Sequence, residues 1–198
     1  IAWGYAASNS LWLTASYGTA YRAPTFNDLY FPPFMGFPTS DPNLEPETSD
    51  SFELGLVSKT GKLDWDIRAF RTDIDDLIIF DLSTFLPANI GQARIEGLEA
   101  SISGEVFGWT ASTSITLLNP RDKTTDNILP RRAKRSFNLA VDRRIGATGI
   151  GATFLAQSSR YDDSGNTIKV GGYGILDLNA TWSPVKNWDI RGRITNAF

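Results

Sequence analysis

The sequence predicts an all-β protein, an antiparallel meander with one apolar and one wet face. Three observations carry that prediction. Apolar and polar residues alternate with period two along most of the chain. Short and long connections alternate between the runs, and the tryptophans gather beside the short ones. No stretch shows the apolar stripe of an amphipathic helix.

Strands are expected at 1–7, 10–20, 47–59, 62–80, 89–106, 108–119, 131–144, 147–161, 170–183 and 187–198. The fourth carries Leu63, Trp65, Ile67 and Ala69 against Asp64, Asp66 and Arg68. The sixth sets Trp109, Ala111, Thr113, Ile115 and Leu117 against Thr110, Ser112, Ser114 and Thr116. In the seventh, Phe137, Leu139 and Val141 oppose Ser136, Asn138 and Asp142. The last alternates Trp188, Ile190, Gly192 and Ile194 with Asp189, Arg191, Arg193 and Thr195. Short turns are expected near Ser8-Asn9, Thr60-Gly61, Phe107-Gly108, 145–148 and 184–187, and long loops near 21–46, 81–88, 120–130 and 162–169. Short turns at one end of a sheet and long loops at the other is the pattern of an outer-membrane barrel.

Trp3, Trp12, Trp65, Trp109, Trp182 and Trp188 all lie close to a short turn. In a meander this puts them at one end of the sheet, where an interfacial aromatic girdle belongs. The competing explanation is the core of a soluble sandwich, which would place tryptophans in mid-strand.

Composition narrows the function. The chain has 198 residues, no Cys and no His, and a net charge of −3. Disulfides and thiolate metal sites are excluded, as is the commonest general base. Nothing in the charge balance invites nucleic acid. No apolar run is long enough for a spanning helix. A mean hydropathy of −0.19 is compatible with transmembrane strands, which need apolar residues only at alternate positions. No signal peptide is read, and Ile1 falls inside a predicted strand. The expectation is a segment of something larger.

The stretch from Tyr17 to Glu47 holds the longest aperiodic segment. Its wealth of Phe and Tyr argues against disorder, and an irregular loop of that length in an ordered protein is usually functional. It is expected to be an outer, ligand-facing loop. The strand at 62–80 exceeds what a bilayer needs, so the wall should project beyond the membrane. Charges on the wet faces suit a wide, hydrated lumen better than a small closed barrel.

Within that stretch, Tyr21-Arg22-Ala23-Pro24, Asn27-Asp28-Leu29-Tyr30 and Asn43-Leu44-Glu45-Pro46-Glu47 resemble the signature loop of TonB-dependent outer-membrane receptors. Further along, 71–78 (RTDIDDLI), 91–100 (GQARIEGLEA), 172–178 and 194–198 (ITNAF) are similar to successive strands of that family. The runs 129–134 (LPRRAK) and 159–162 (SRYD) look most like its cobalamin-importing members. The resemblance implies an antiparallel transmembrane β-barrel segment, residues 1–198 supplying about 10 strands of a barrel of about 22. These would be roughly strands 12 to 21 of the family barrel, without its N-terminal plug and final strand. It further implies import of cobalamin, or alternatively of a ferric siderophore, with energy from the TonB complex, in the outer membrane of a Gram-negative bacterium. Outer-membrane lipid would surround the wall.

By the same resemblance Arg131 matches a position that contacts cobalamin; the competing reading pairs it with Asp122 or Asp126. The family's other contact here is a Tyr in the loop after Arg160-Tyr161-Asp162, which the short run 163–166 lacks. Tyr30, Phe31 and Phe34, with Phe26 and Phe37, could offer an aromatic surface to a bulky ligand or simply pack the loop. Asp73, Asp75, Asp76 and Asp81 read as a charge network rather than a calcium site, because the spacing is not that of a calcium loop. Arg131, Arg132, Lys134 and Arg135 could meet lipopolysaccharide phosphates, though strand alternation would split them between faces. No catalytic residue, metal site or cofactor is expected. An outer-membrane enzyme of ten strands is disfavoured by the lack of His, and a soluble all-β binding module would be marked by solubility without detergent.

Overall fold

The computed structural model describes residues 1–197; Phe198, the end of the strand expected at 187–198, lies outside the described residues. In chain order come β1 (Ala2–Ala6), β2 (Leu11–Arg22), α1 (Phe26–Tyr30), β3 (Glu47–Lys59), β4 (Leu63–Asp81), β5 (Leu86–Val106) and β6 (Trp109–Asp122). They are followed by β7 (Arg135–Ile145), β8 (Thr148–Gln157), β9 (Arg160–Tyr161), β10 (Lys169–Val170), β11 (Tyr173–Trp182) and β12 (Ile190–Ile194). Ten of these strands form one sheet in the order β1-β2-β3-β4-β5-β6-β7-β8-β11-β12, every pair antiparallel. The other two, β9 and β10, make a small ribbon inside the β8–β11 loop.

Register explains why alternation reads so clearly. One cross-strand row joins Leu13, Leu56, Ile67, Ala100, Ile115 and Phe137. The next joins Leu54, Ala69, Leu98 and Leu117. Directly opposed residues share a face, so the apolar sets of the separate strands merge into one continuous face. The other face carries rows such as Asp66, Ser101, Ser114 and Asn138. There Arg68 bridges Asp66 and Glu53, each at 2.7 Å. The apolar face is open: Leu54 is 50% and Ile67 40% accessible, and so is much of its surroundings.

The buried core is small and lies at the long-loop end. Leu77, Ala93 and Leu129 form it, with Ile74, Ile79, Ile90 and Ile95 packed around. Ile74 and Leu77 could not share a cluster in a strictly alternating strand. Asp76, with φ of 57°, is where the alternation shifts, turning Leu77 to the side that Ile74 occupies. Leu129 arrives from the β6–β7 loop, which folds back so that Ile128 bridges to Arg121 of β6.

Several expectations need correction. The 81–88 connection is no long loop: β4 and β5 stay paired up to Asp81 and Leu86, leaving a four-residue turn. Residues 131–134 belong to a loop, and 158–172 leave the main sheet for the β9–β10 ribbon, because side-chain bonds between the two loops replace ladder pairing there. Trp12 does sit near a turn, but its partner Val57 is on the wet face, so it is no part of a lipid-facing girdle. Trp3, Trp65, Trp109 and Trp182 do lie on the apolar face. Arg143 stacks its guanidinium 5.7 Å above the Trp109 ring. Gly97 within 91–100 stands opposite Phe70, whose ring covers it; a Cβ there would come 2.5 Å from Phe70 Cζ.

Candidate functional site at the long-loop end

The loop between β2 and β3 is closed at its base by its own ends. Arg22 Nη1 meets Glu47 Oε1 at 2.7 Å, and the same oxygen accepts the Ile78 amide at 2.7 Å. Asn89 of β5 then grips the following turn. Its Oδ1 accepts the Glu45 amide at 2.9 Å, while its Nδ2 donates to the Glu45 carbonyl at 3.0 Å and the Asp76 carbonyl at 2.6 Å. A side-chain amide here does what a neighbouring strand would do. Leu44 between these contacts is buried.

The loop carries a helix that periodicity could not reveal, since α1 has only five residues. A local signal existed. Thr25 and Asp28 form a capping box, the Thr25 hydroxyl accepting the Asp28 amide at 3.2 Å and the Asp28 carboxylate accepting the Thr25 amide at 2.8 Å. The Thr25 hydroxyl, assisted by its amide and the Arg22 charge, holds the Asp28 carboxyl below the usual carboxylate range.

Beyond the helix, Phe34 and Phe37 exchange both backbone hydrogen bonds, at 3.0 and 2.9 Å, around Met35-Gly36. Both central residues have positive φ, 50° and 83°, the geometry of a two-residue hairpin turn. Phe31, Phe34 and Phe37 line a cavity of about 570 Å³ with Pro38, Phe80 and Phe85. Thus Phe31 and Phe34 are brought together. Tyr30 is not with them; its ring rests against Phe26, 5.3 Å away. Alternation gives no signal for Phe80 and Phe85, which flank a four-residue turn where the sequence predicts a long loop.

Arg131 stands in a second cavity, of about 510 Å³, with Arg132, Arg160, Asp162, Gln157 and Ser136. Its backbone amide donates to the Tyr161 carbonyl at 2.6 Å and its Nε to Asp162 at 2.8 Å. The carboxylates expected to pair with it are engaged elsewhere. Asp122 accepts the amides of Thr124 and Thr125, and Asp126 lies 3.8 Å from Arg121. Burial pulls the Arg132 guanidinium below its ordinary value, opposed by the Glu47 charge. Arg160 has a buried Nη1 without a partner among the described residues. The cavities around Arg131 and Phe34 share no lining residue, so the structure keeps the two sets of candidates apart.

The loops behind Arg131 act as one body. Asn166 brackets Ile128, accepting its amide and donating to its carbonyl at 2.8 Å each, and Asn127 Nδ2 donates to the Ser164 carbonyl at 3.0 Å. Asp163 shapes the far turn. Burial alone would raise its carboxyl, but bonds from the Ile168 and Thr167 amides and the Thr167 hydroxyl lower it below the usual range. The aspartates of β4 do not assemble: Asp73 pairs with Arg71 at 2.8 Å and Arg94 at 2.5 Å. Among the described residues, no three carboxylates gather in a way that could hold a metal ion.

Residues 1–197 match the family described as TonB dependent receptor-like, beta-barrel. The chain is 32% identical over 205 residues to the vitamin B12 transporter BtuB of Photobacterium profundum, covering 100% of this chain and 33% of that protein. To the vitamin B12 transporter BtuB of Vibrio vulnificus it is 34% identical over 199 residues, 98% of this chain and 31% of the relative. The chain therefore spans about a third of the length of the curated relatives it matches. In fold it is similar to the copper transporter OprC, with a TM-score of 0.79 at 21% identity over 98% of this chain and 32% of that one. It is equally similar to the ferric yersiniabactin uptake receptor FyuA from Yersinia pestis, with a TM-score of 0.79 at 19% identity over 99% and 31% of the two chains. These relatives are transporters and receptors, not enzymes. With a ten-stranded antiparallel meander behind loops of the expected kind, the chain belongs to the TonB-dependent receptor β-barrel family.

Proposed function

We propose that these strands form part of the wall and mouth of an outer-membrane transporter that binds cobalamin and imports it with energy delivered through TonB. The observation that carries the membrane part is the continuous exposed apolar face. Residues such as Leu54, Leu56, Ile67, Leu98, Ile102 and Ile115 lie on it in register. Soluble monomers rarely expose contiguous apolar patches beyond a few hundred Å², whereas lipid requires one. The wet face then lines the lumen, and the long loops stand outside the cell. The share of each relative that is matched, 33% and 31%, supports a segment of a larger barrel.

Cobalamin is supported by the two curated relatives and by Arg131. With its Nε on Asp162, the planar fork still presents its outer amino groups to phosphate or amide oxygens. The aromatic cavity of Phe31, Phe34, Phe37, Phe80 and Phe85 favours a second reading, a ferric siderophore, because it suits a bulky apolar ligand. Binding of cyanocobalamin and of ferric siderophores to the full-length protein, measured side by side, separates the two. Tight cobalamin binding is expected; siderophore binding without cobalamin binding would replace the first reading by the second.

A further inference from the structure

We propose that Arg132 and Arg160, beside Arg131, form a subsite that binds a phosphate group carried by the cargo. This rests on the cobalamin reading above, since cobalamin carries a phosphodiester. The subsite lies on the lumenal side of the sheet. Its floor is Ser136 and Gln157, which continue the cross-strand row of Arg68, Glu99 and Thr116 on the wet face. Its rim comes from two connections, with Arg131 and Arg132 between β6 and β7, and Arg160 and Asp162 between β8 and β11.

Charge is unbalanced within this cavity. Three guanidiniums share it with one carboxylate, and Asp162 is already held by Arg131 Nε at 2.8 Å. Glu47, whose charge reaches Arg132 from outside the cavity, is taken up by Arg22 and the Ile78 amide at 2.7 Å each. Asp163, next in the chain to Asp162, accepts the Thr167 and Ile168 amides instead. Among the described residues no carboxylate comes within ion-pair reach of Arg132 or Arg160.

The groups left over are donors. Gln157 Oε1 accepts the Tyr173 hydroxyl at 3.1 Å, so the amide nitrogen is the end that a ligand can meet. Arg132 makes one long bond, from Nη1 to the Pro130 carbonyl at 3.4 Å. Arg160 keeps Nη1 buried with no partner among the described residues. A charged donor buried without a partner is costly. An anion entering the cavity relieves that cost by drawing the flexible side chain round, so that the unpaired nitrogen meets it. A planar carboxylate is satisfied by a single guanidinium fork. Donors on the floor and on both sides of the rim suit the spread oxygens of a phosphate instead.

The test titrates the full-length parent and R160Q with cyanocobalamin and with dicyanocobinamide, which keeps the corrin ring and lacks the phosphodiester. R160Q should bind cyanocobalamin roughly 10-fold more weakly, the factor of one charge-assisted hydrogen bond, and dicyanocobinamide as the parent does. R191Q, exposed at the short-turn end, should leave both affinities unchanged. A second arm needs no variant. Inorganic phosphate should compete with cyanocobalamin on the parent and leave dicyanocobinamide binding unaltered. Equal loss of both corrinoids in R160Q, loss of neither, or equal competition by phosphate against both would each overturn the subsite. Absence of cyanocobalamin binding to the parent would overturn the cobalamin reading, and the subsite with it.

Discussion

Arg131 shows how far a single residue can be read from sequence. Its place at the re-entry of a loop into the sheet was visible, and so was its chemistry. Its partner was not, because Asp162 lies in another loop, one that Asn166 also ties to Ile128. The ion pair sits near the surface, with the Arg131 side chain 52% accessible, so its contribution to folding is small. Arg131→Ala in the full-length protein should therefore weaken cobalamin binding while leaving the melting temperature nearly unchanged. Equilibrium titration beside a thermal melt checks both, and unchanged affinity would remove Arg131 from the ligand site. Tyr30 teaches the opposite lesson. It is adjacent in sequence to Phe31, yet α1 turns it toward Phe26 and away from the cavity.

At the scale of elements, alternation foretold the strands because each strand has one apolar side, and the pairing merely lined those sides up. It failed where a local backbone event intervenes. The positive φ of Asp76 shifts the inward side of β4, and the tight pairing that follows extends the β4–β5 hairpin past the expected end. It failed also for α1, too short for a helical period, where the Thr25–Asp28 cap was the only trace. In the β6–β7 loop Leu129 is a buried anchor, packed with Leu77 and Ala93. Leu129→Ala should cost about 2–5 kcal/mol of local stability, the usual range for truncating a buried leucine. Faster amide exchange through 123–134 with unaltered exchange in β6 is the expected signature. Equally fast exchange in parent and variant would show that the Asn166 bracket alone holds the loop.

For the whole molecule, the exposed apolar face predicts behaviour without reference to ligand. The full-length protein should stay dispersed only in detergent or lipid, and sedimentation after detergent removal should find it aggregated. A monodisperse solution without detergent would refute the membrane placement. The fold class was legible in the sequence because alternation and connection lengths follow the strands, and Trp65, Trp109 and Trp182 do stand together on the apolar face. The cargo was less so. Ligand contacts gather from loops distant in sequence, and the Arg131 and Phe34 cavities come together in no single stretch.

The closure of the β2–β3 loop has a wider consequence. Arg22, Glu47 and Asn89 fasten the two ends of that segment to the wall and to each other through bonds that do not involve residues 29–40. Such an attachment works like a socket: whatever peptide stands between the fixed ends can be exchanged without disturbing the frame. A lineage of receptors could thus acquire a new cargo by rewriting the inserted peptide, while the residues that seat it remain as they are.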